Sequence, residues 1–527
     1  MKIRRLLTIL VAAAALSWAL PGQSGLDPAK LLQPATDTWP MYNGDYSGRR
    51  FSTLKDINTS NVKSLALAWT YRIQPTGGRG GRISSTPLEV NGVLYFTIPN
   101  HVWAVDARTG KELWDHPWES KISAIGNRGV GIVGQTLYFE TPDCNLVALD
   151  INTGKEKWHT SICSIDLMYF GSVPPMPVKN HLILGVSGDD MDIPGYVEAV
   201  DPETGDLQWR WYAHPNPGDP EAASWPNEDA MMHSGGMTWV PGTYDPELNL
   251  YYFGTGNAQP VINGSARPGA NLYTGCIIAL NPDTGKMAWY FQPNPHDTHD
   301  WDAVEVPILA DGTFKGQPRK MLMQASRNGY FFVLDRTNGK SLLTEPFAAA
   351  NWANGIDDKG QPIPNPEKEP ARDGRLVSPD EGGATNYRSP SFDPKTGLFI
   401  VSADDSYGIY FYKPEDGAYG WAGADYGLLG IGKVEAIDYQ TGKIKWTHPI
   451  GDGAGSGVLT TATGLTFTGD AARNFMALRT TDGTTLWHSS VGHVENSPVT
   501  YMLDGRQYVL ASAGGVLFAW ALPQKAH

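Results

Sequence analysis

The chain has 527 residues, 41% of them hydrophobic and only 18% charged, with a net charge of −14. That acidic balance excludes nucleic acid as a partner, because phosphate binding needs a basic footprint. The 59 glycines and 39 prolines accompany 18 tryptophans, 23 tyrosines and 16 phenylalanines, which excludes disorder, and three cysteines exclude a disulfide scaffold.

Lys2, Arg4 and Arg5 precede an apolar run from Leu6 to about Leu20, with Ser17-Trp18-Ala19 as a small-residue cleavage site. These are the parts of a secretory signal, here residues 1–20. A membrane anchor is the alternative, but a span needs about 20 apolar residues, and this run is shorter and ends in Pro21-Gly22. The reading is a soluble protein exported to the periplasm. Export permits a disulfide. Cys144 and Cys163 flank the Asn152-Thr153-Gly154 turn symmetrically, which predicts a bridge between them and leaves Cys276 free. No C-x-x-C-H is present, so the chain holds no covalent haem of its own.

One pattern then recurs. A strand ending in Ala-[Val/Leu/Ile]-Asp is followed by a Thr-Gly turn and a tryptophan: AVDARTGKELW (Ala104–Trp114), ALDINTGKEKW (Ala148–Trp158), AVDPETGDLQW (Ala199–Trp209) and ALNPDTGKMAW (Ala279–Trp289). Variants follow as VLDRTNGKSLL (Val333–Leu343), AIDYQTGKIKW (Ala436–Trp446) and ALRTTDGTTLW (Ala477–Trp487). Each predicts a β-hairpin, with Asp or Asn bonding the turn backbone and Gly supplying positive φ. At the ends, NVKSLALAW (Asn61–Trp69) is a returning strand without its first half, and GGVLFAWAL (Gly514–Leu522) is a first strand without its return. Joined, they complete an eighth hairpin. A ring closes itself this way; a linear solenoid has no need to. The predicted fold is all-β: an eight-bladed β-propeller over residues 35–522 with Trp-docking repeats, closed by its N- and C-terminal strands. Unequal repeat spacing places insertions near 210–240 and 345–385, where sites are commonly assembled on a rigid scaffold.

Three polar clusters fall between repeats: Asp189, Asp190 and Asp192 in VSGDDMD; Asn257 in GTGN; and Asp297, Asp300 and Asp302 with His296 and His299 in PHDTHDWD. Carboxylates with an amide oxygen suit Ca²⁺ or a similar hard ion, not zinc.

With GTGN, PHDxxDxD and RNGYFFVLDRTNGK in this order among the Trp-bearing repeats, the chain resembles the quinoprotein alcohol dehydrogenases that use pyrroloquinoline quinone (PQQ), such as methanol and ethanol dehydrogenases. The resemblance implies that Asp300 is the base for the alcohol proton and that Arg327 bonds the quinone oxygens. It implies that Trp239 floors the cofactor, that Arg128, Ser172, Ser187 and Asn386 contact it, and that Asp190, Asn257 and Asp300 hold the metal. Asp302 resembles an extra carboxylate of lanthanide-dependent members, so Ca²⁺ and a lanthanide are both expected candidates. The implied activity is oxidation of an alcohol to an aldehyde, with electrons passed to a soluble c-type cytochrome; a homodimer is compatible with it.

The chain departs from the family pattern in four places. Ile122-Ser123 stands where the family commonly has adjacent cysteines, Asp190 where it has glutamate, and Ser84 roughly where a glutamate touches the cofactor. A tryptophan expected near GAGSGVLTT is missing. Trp225, Trp301 and Trp421 are candidates for the substrate wall, each with the plainer reading of a packed aromatic. Two other functions stay open at this point: a non-catalytic propeller scaffold, and a quinoprotein acting on sugars or aldehydes.

Overall fold

A computed structural model describes residues 25–524 apart from 75–80, 125, 189–191, 414, 416, 418 and 454. The predicted signal over 1–20 and Asp190 lie outside these residues. The described residues form a β-propeller: eight sheets of four or five strands, antiparallel except for the edge strand Phe51–Ser52, which pairs parallel with Leu459–Thr461, plus a small hairpin of Ala353–Ile356 with Pro362–Pro364. A typical sheet runs Thr136–Glu140, Asn145–Asp150 and Glu156–Ser161, with Gly131–Val133 at one edge. Its middle strands are almost wholly buried, whereas Glu156–Ser161 alternates exposed and half-buried residues, as expected of a strand with one face in solvent.

The repeat hairpins fall where the spacing puts them. Asp106, Asp150 and Asp201 each accept backbone N–H bonds within the turn. Ala66–Arg72 pairs antiparallel with Val516–Ala521, so the two ends of the chain share one sheet. Cys144 and Cys163 are joined, and Cys276 is free and buried.

The tryptophans do more than pack on their own strand. Trp69, Trp114, Trp209, Trp289 and Trp446 donate Nε1–H to the carbonyls of Ala107, Ile151, Pro282, Arg336 and Thr480, each in the turn of the following sheet. Their rings lie against that turn's glycine, so a Cβ on Gly110, Gly154, Gly285, Gly339 or Gly483 would stand 2.5–2.7 Å from the ring. Where the tryptophan is missing, Gly442 is met instead by Glu345, at 2.6 Å from a built Cβ, with Leu343 behind it at 3.2 Å. The repeat is thus a docking unit between neighbours. Gly154→Ala combines a left-handed backbone (φ +66°) with a 2.5 Å clash on Trp114, and should cost about 2–4 kcal/mol of unfolding free energy. Urea denaturation of the variant checks this; an unchanged midpoint would sink the docking argument.

Residues 39–52 run across the sheets and bond to several of them. Trp39 pairs with Glu89, Tyr46 donates its hydroxyl to Pro177 O and accepts from Tyr244 N, and Ser47 O accepts from Leu309 N. Farther on, Arg49 O accepts from Phe392 N and Arg50 O from Thr460 N. The buried Arg50 guanidinium donates to the carbonyls of Tyr42, Val458 and Pro498. Of the two expected insertions, the first holds the short helices Pro220–Ser224 and Glu228–Met232, and the second holds the Ala353–Pro364 hairpin. The spacing argument did not anticipate the extension of Leu398–Phe411 and Ala424–Asp438 into one long hairpin.

Candidate active site

The loop 296–302 leaves strand Met287–Phe291 and leads to strand Ile308–Phe314. His296 and Asp300 take left-handed φ values of 54° and 65°, a conformation Asp tolerates better than most residues. Asp297 is a structural residue: its carboxylate accepts the backbone N–H of His299 and Trp301, and it does not join the acidic pair that follows. The histidines are structural too, with His296 bonding Gly269 O and His299 bonding Lys368 O. Burial lowers the His299 imidazole to about 4, which leaves it neutral near pH 7.

The turn brings Asp300 and Asp302 onto one arginine. Arg327, from the SRNGY turn between Gln317–Ala325 and Tyr330–Asp335, donates Nη2–H to Asp300 Oδ2 at 2.9 Å and Nη1–H to Asp302 Oδ2 at 3.1 Å. Nη2 also reaches the Glu381 carbonyl at 2.5 Å and its carboxylate at 3.4 Å. Asp302 is buried and accepts two further bonds, from Trp239 Nε1 at 2.7 Å and from the Asn257 backbone N–H at 2.6 Å. One carboxylate therefore fixes the Trp239 ring, the GTGN loop and Arg327 together. Gly256 admits it: a Cβ there would stand 2.9 Å from Asp302 Oδ1.

The end of the Asn257 carboxamide lies 3.2 Å from Oδ1 of both Asp300 and Asp302. Turned with its nitrogen inward it donates to both. Turned with its oxygen inward, it makes three oxygens converge, which is the donor chemistry of a hard cation. Among the described residues the set is two carboxylates and one amide, and Asp190 lies outside them.

Electrostatics follow from this crowding. Burial pushes the Asp300 carboxyl well above its usual range; Arg327 opposes the rise, while Asp302 and Glu381 add to it. Burial works against the Arg327 charge, but the surrounding carboxylates overcome it and hold the guanidinium more firmly protonated than usual. Arg327 Nε is buried with no acceptor among the described residues, a donor left for a carbonyl or anionic oxygen.

A second group faces the same ring. The Arg128 guanidinium lies 4.4 Å over the Trp239 ring and 5.0 Å from that of Tyr387, so a flat group already stacks on the proposed floor. Arg128 Nη1 lies 3.5 Å from Ser172 Oγ, and the Ser172 and Ser187 hydroxyls are bonded at 2.8 Å. Both serines are buried, and Glu140 beneath them accepts the N–H groups of Ser172 and Val173. Sequence reasoning missed Tyr387, Glu381 and Glu140. Their types are common, and only the sheets bring them here. Asn386 is half-buried and bonds locally to Gly382 O and Tyr387 N. Of the three candidate wall tryptophans, Trp225 bonds Leu272 O and Trp301 bonds Asp380 O, both buried, while Trp421 is half-buried.

Glu305 lies behind Arg327, its Oε1 buried without a partner among the described residues. Burial raises its carboxyl to about 8, against the opposing influence of Arg327. An acid raised on folding favours the folded state while protonated, so its contribution is lost as pH rises from about 4.5 through about 8. Glu305→Gln should therefore match the wild type at pH 4.5 and melt higher than it at pH 8. Thermal melts across that window check this, and parallel pH profiles would count against it.

Comparison with known proteins gives a consistent picture. A family model described as the β-propeller domain of PQQ-dependent glucose, ethanol and alcohol dehydrogenases matches residues 39–371 and 430–509. The chain is 37% identical to a quinohemoprotein alcohol dehydrogenase, ADH IIB, of Pseudomonas putida, over 93% of this chain and 76% of that protein. It is 35% identical to the quinoprotein alcohol dehydrogenase PedH of Pseudomonas putida, over 98% and 93%. A solved europium-containing methanol dehydrogenase superposes with a TM-score of 0.83 at 28% identity, covering 94% of this chain and 99% of that one.

Proposed function

The chain belongs to the PQQ-dependent alcohol dehydrogenases, and we propose that it oxidises an alcohol to an aldehyde in the periplasm and passes the electrons to a c-type cytochrome. It is a quinoprotein oxidoreductase whose cofactors are PQQ with Ca²⁺ or a lanthanide. The eight sheets and the pairing of Ala66–Arg72 with Val516–Ala521 support a closed eight-bladed ring over 35–522. Residues 1–20 are its export signal, and the insertions near 210–240 and 345–385 border the site. The observation that carries this reading is the buried assembly in which Arg327 ties Asp300 to Asp302 beside Trp239 and Asn257.

In that assembly Asp190, Asn257, Asp300 and Asp302 would hold the cation. Trp239 would floor the quinone, with Arg128, Ser172, Ser187, Arg327 and Asn386 around it. When bound, PQQ would supply a two-electron acceptor for the alcohol's hydride equivalent, and the cation would supply Lewis acidity beside it. Asp300 takes the hydroxyl proton. Arg327 holds Asp300 Oδ2 in place and, with the cation, offsets the burial that would otherwise keep this carboxyl protonated. Asp302 positions by binding Trp239, Asn257 and Arg327 at once, and gives the site a further negative charge suited to a highly charged ion.

Reconstitution tests the reading. Apoprotein loaded with PQQ and Ca²⁺ or a light lanthanide should show quinone absorbance and reduce an artificial dye with primary alcohols. Absence of bound quinone, or of turnover across a broad alcohol panel, would overturn it.

A further inference from the structure

The hairpin of Leu398–Phe411 and Ala424–Asp438 outruns the sheet it belongs to. The neighbouring strand Ile444–Gly451 covers Ala424–Asp438 only from Gly432 onward. Among the described residues, Ala424–Ile431 therefore pairs on one side alone. This stretch bears Tyr426, Leu428, Leu429 and Ile431, exposed by 62%, 51%, 78% and 65%, with Tyr407 exposed opposite. An uncovered edge strand is a liability that proteins blunt or use, and clustered apolar exposure marks an interaction surface.

The patch is rooted at the active site. A side chain at Gly427 would meet the Asp380 carboxylate at 3.2 Å, and the next residue, Glu381, accepts hydrogen bonds from Arg327. Partly exposed carboxylates surround it: Asp380, Glu381, Asp404, Asp405 and Asp425. The nearby cation Lys433 is taken up by Asp405 and Glu435. An apolar centre with a carboxylate rim complements a partner whose apolar contact face is ringed by lysine or arginine. A second copy of this chain fits less well, since two such rims would face each other with like charge.

We propose that the exposed face of Ala424–Ile431, with its rim of Asp380, Glu381, Asp404, Asp405 and Asp425, is the docking surface for the electron acceptor, a cationic c-type cytochrome. This rests on the dehydrogenase reading above. Each alcohol oxidised to aldehyde reduces two ferric haems to ferrous, one electron each, and releases two protons to water. The surface joins the site through Asp380, beside Gly427, and Glu381, which accepts from Arg327.

The test compares two acceptors for the reconstituted holoenzyme: a small artificial dye, and mitochondrial cytochrome c as a basic single-haem probe. Leu429→Ser alone, Leu428→Ser/Leu429→Ser/Ile431→Ser together, and Asp425→Lys should each raise KM for the cytochrome, the last two by about tenfold or more. Dye turnover should stay within about twofold, and the salt dependence of cytochrome reduction should weaken in Asp425→Lys. Unchanged cytochrome kinetics in all three variants overturn the proposal. So does a wild type that reduces the dye but not the cytochrome, or a triple variant whose only change is loss of self-association. A wild type inactive with the dye overturns the dehydrogenase reading itself, which separates the two failures.

Discussion

An Asp300→Asn enzyme should lose alcohol turnover by about 10³-fold while still binding quinone, because the amide keeps the shape and one oxygen but cannot take a proton. The geometry makes the effect specific. Asp300 Oδ2 is held by Arg327 at 2.9 Å, and Oδ1 faces the Asn257 carboxamide, so the variant has the same neighbours. Turnover is measured at saturating cation, since the substitution also weakens the metal set. Bound quinone, followed by absorbance, should remain near stoichiometric. Activity within about tenfold of the wild type would remove Asp300 from the role of base.

Arg327→Met should cost stability as well as rate. The guanidinium is the counter-charge for the buried Asp302, for the half-buried Asp300 and for Glu381. Breaking a buried ion pair from one side costs about 3–5 kcal/mol, and losing a donor aimed at developing charge lowers kcat by about 10²–10³-fold. A distinguishing sign follows from charge balance. The stability deficit should be largest without metal and should shrink when Ca²⁺ or a lanthanide is added, because the cation replaces part of the lost charge. Denaturation with and without the ion measures both. Equal deficits would mean that Arg327 acts by packing and not by charge. Lysine is no substitute, since it cannot span Asp300 and Asp302 with two parallel donors.

The candidate site was legible in part. GTGN, the PHDTHDWD segment and the SRNGY turn singled out Asn257, Asp300, Asp302 and Arg327 through their resemblance to the family pattern, and the sheets bring these four together. Asp297, His296 and His299 looked equally chemical in sequence, yet they shape the loop through backbone bonds. Nothing in the spacing separates the two kinds of residue, because side-chain direction in an irregular loop depends on φ values such as the 65° at Asp300.

Composition and repeat together established the all-β class, the hairpins and the sharing of one sheet by the two chain ends. The class and the hairpins rest on contacts within about a dozen residues, where turn chemistry and strand alternation are written contiguously, whereas the shared sheet was legible because each chain end carries half of the repeat. The reading of three cysteines as one bridge and one free thiol also held, since Cys144 and Cys163 flank a single local turn. The docking of Trp69, Trp114, Trp209, Trp289 and Trp446 on the next sheet's glycine was decided elsewhere. So were the burial of Asp302 among Trp239, Asn257 and Arg327, the strap of residues 39–52, and the exposed hairpin edge. Each joins segments far apart in sequence, and their meeting depends on how whole sheets are set side by side, a geometry no single segment encodes.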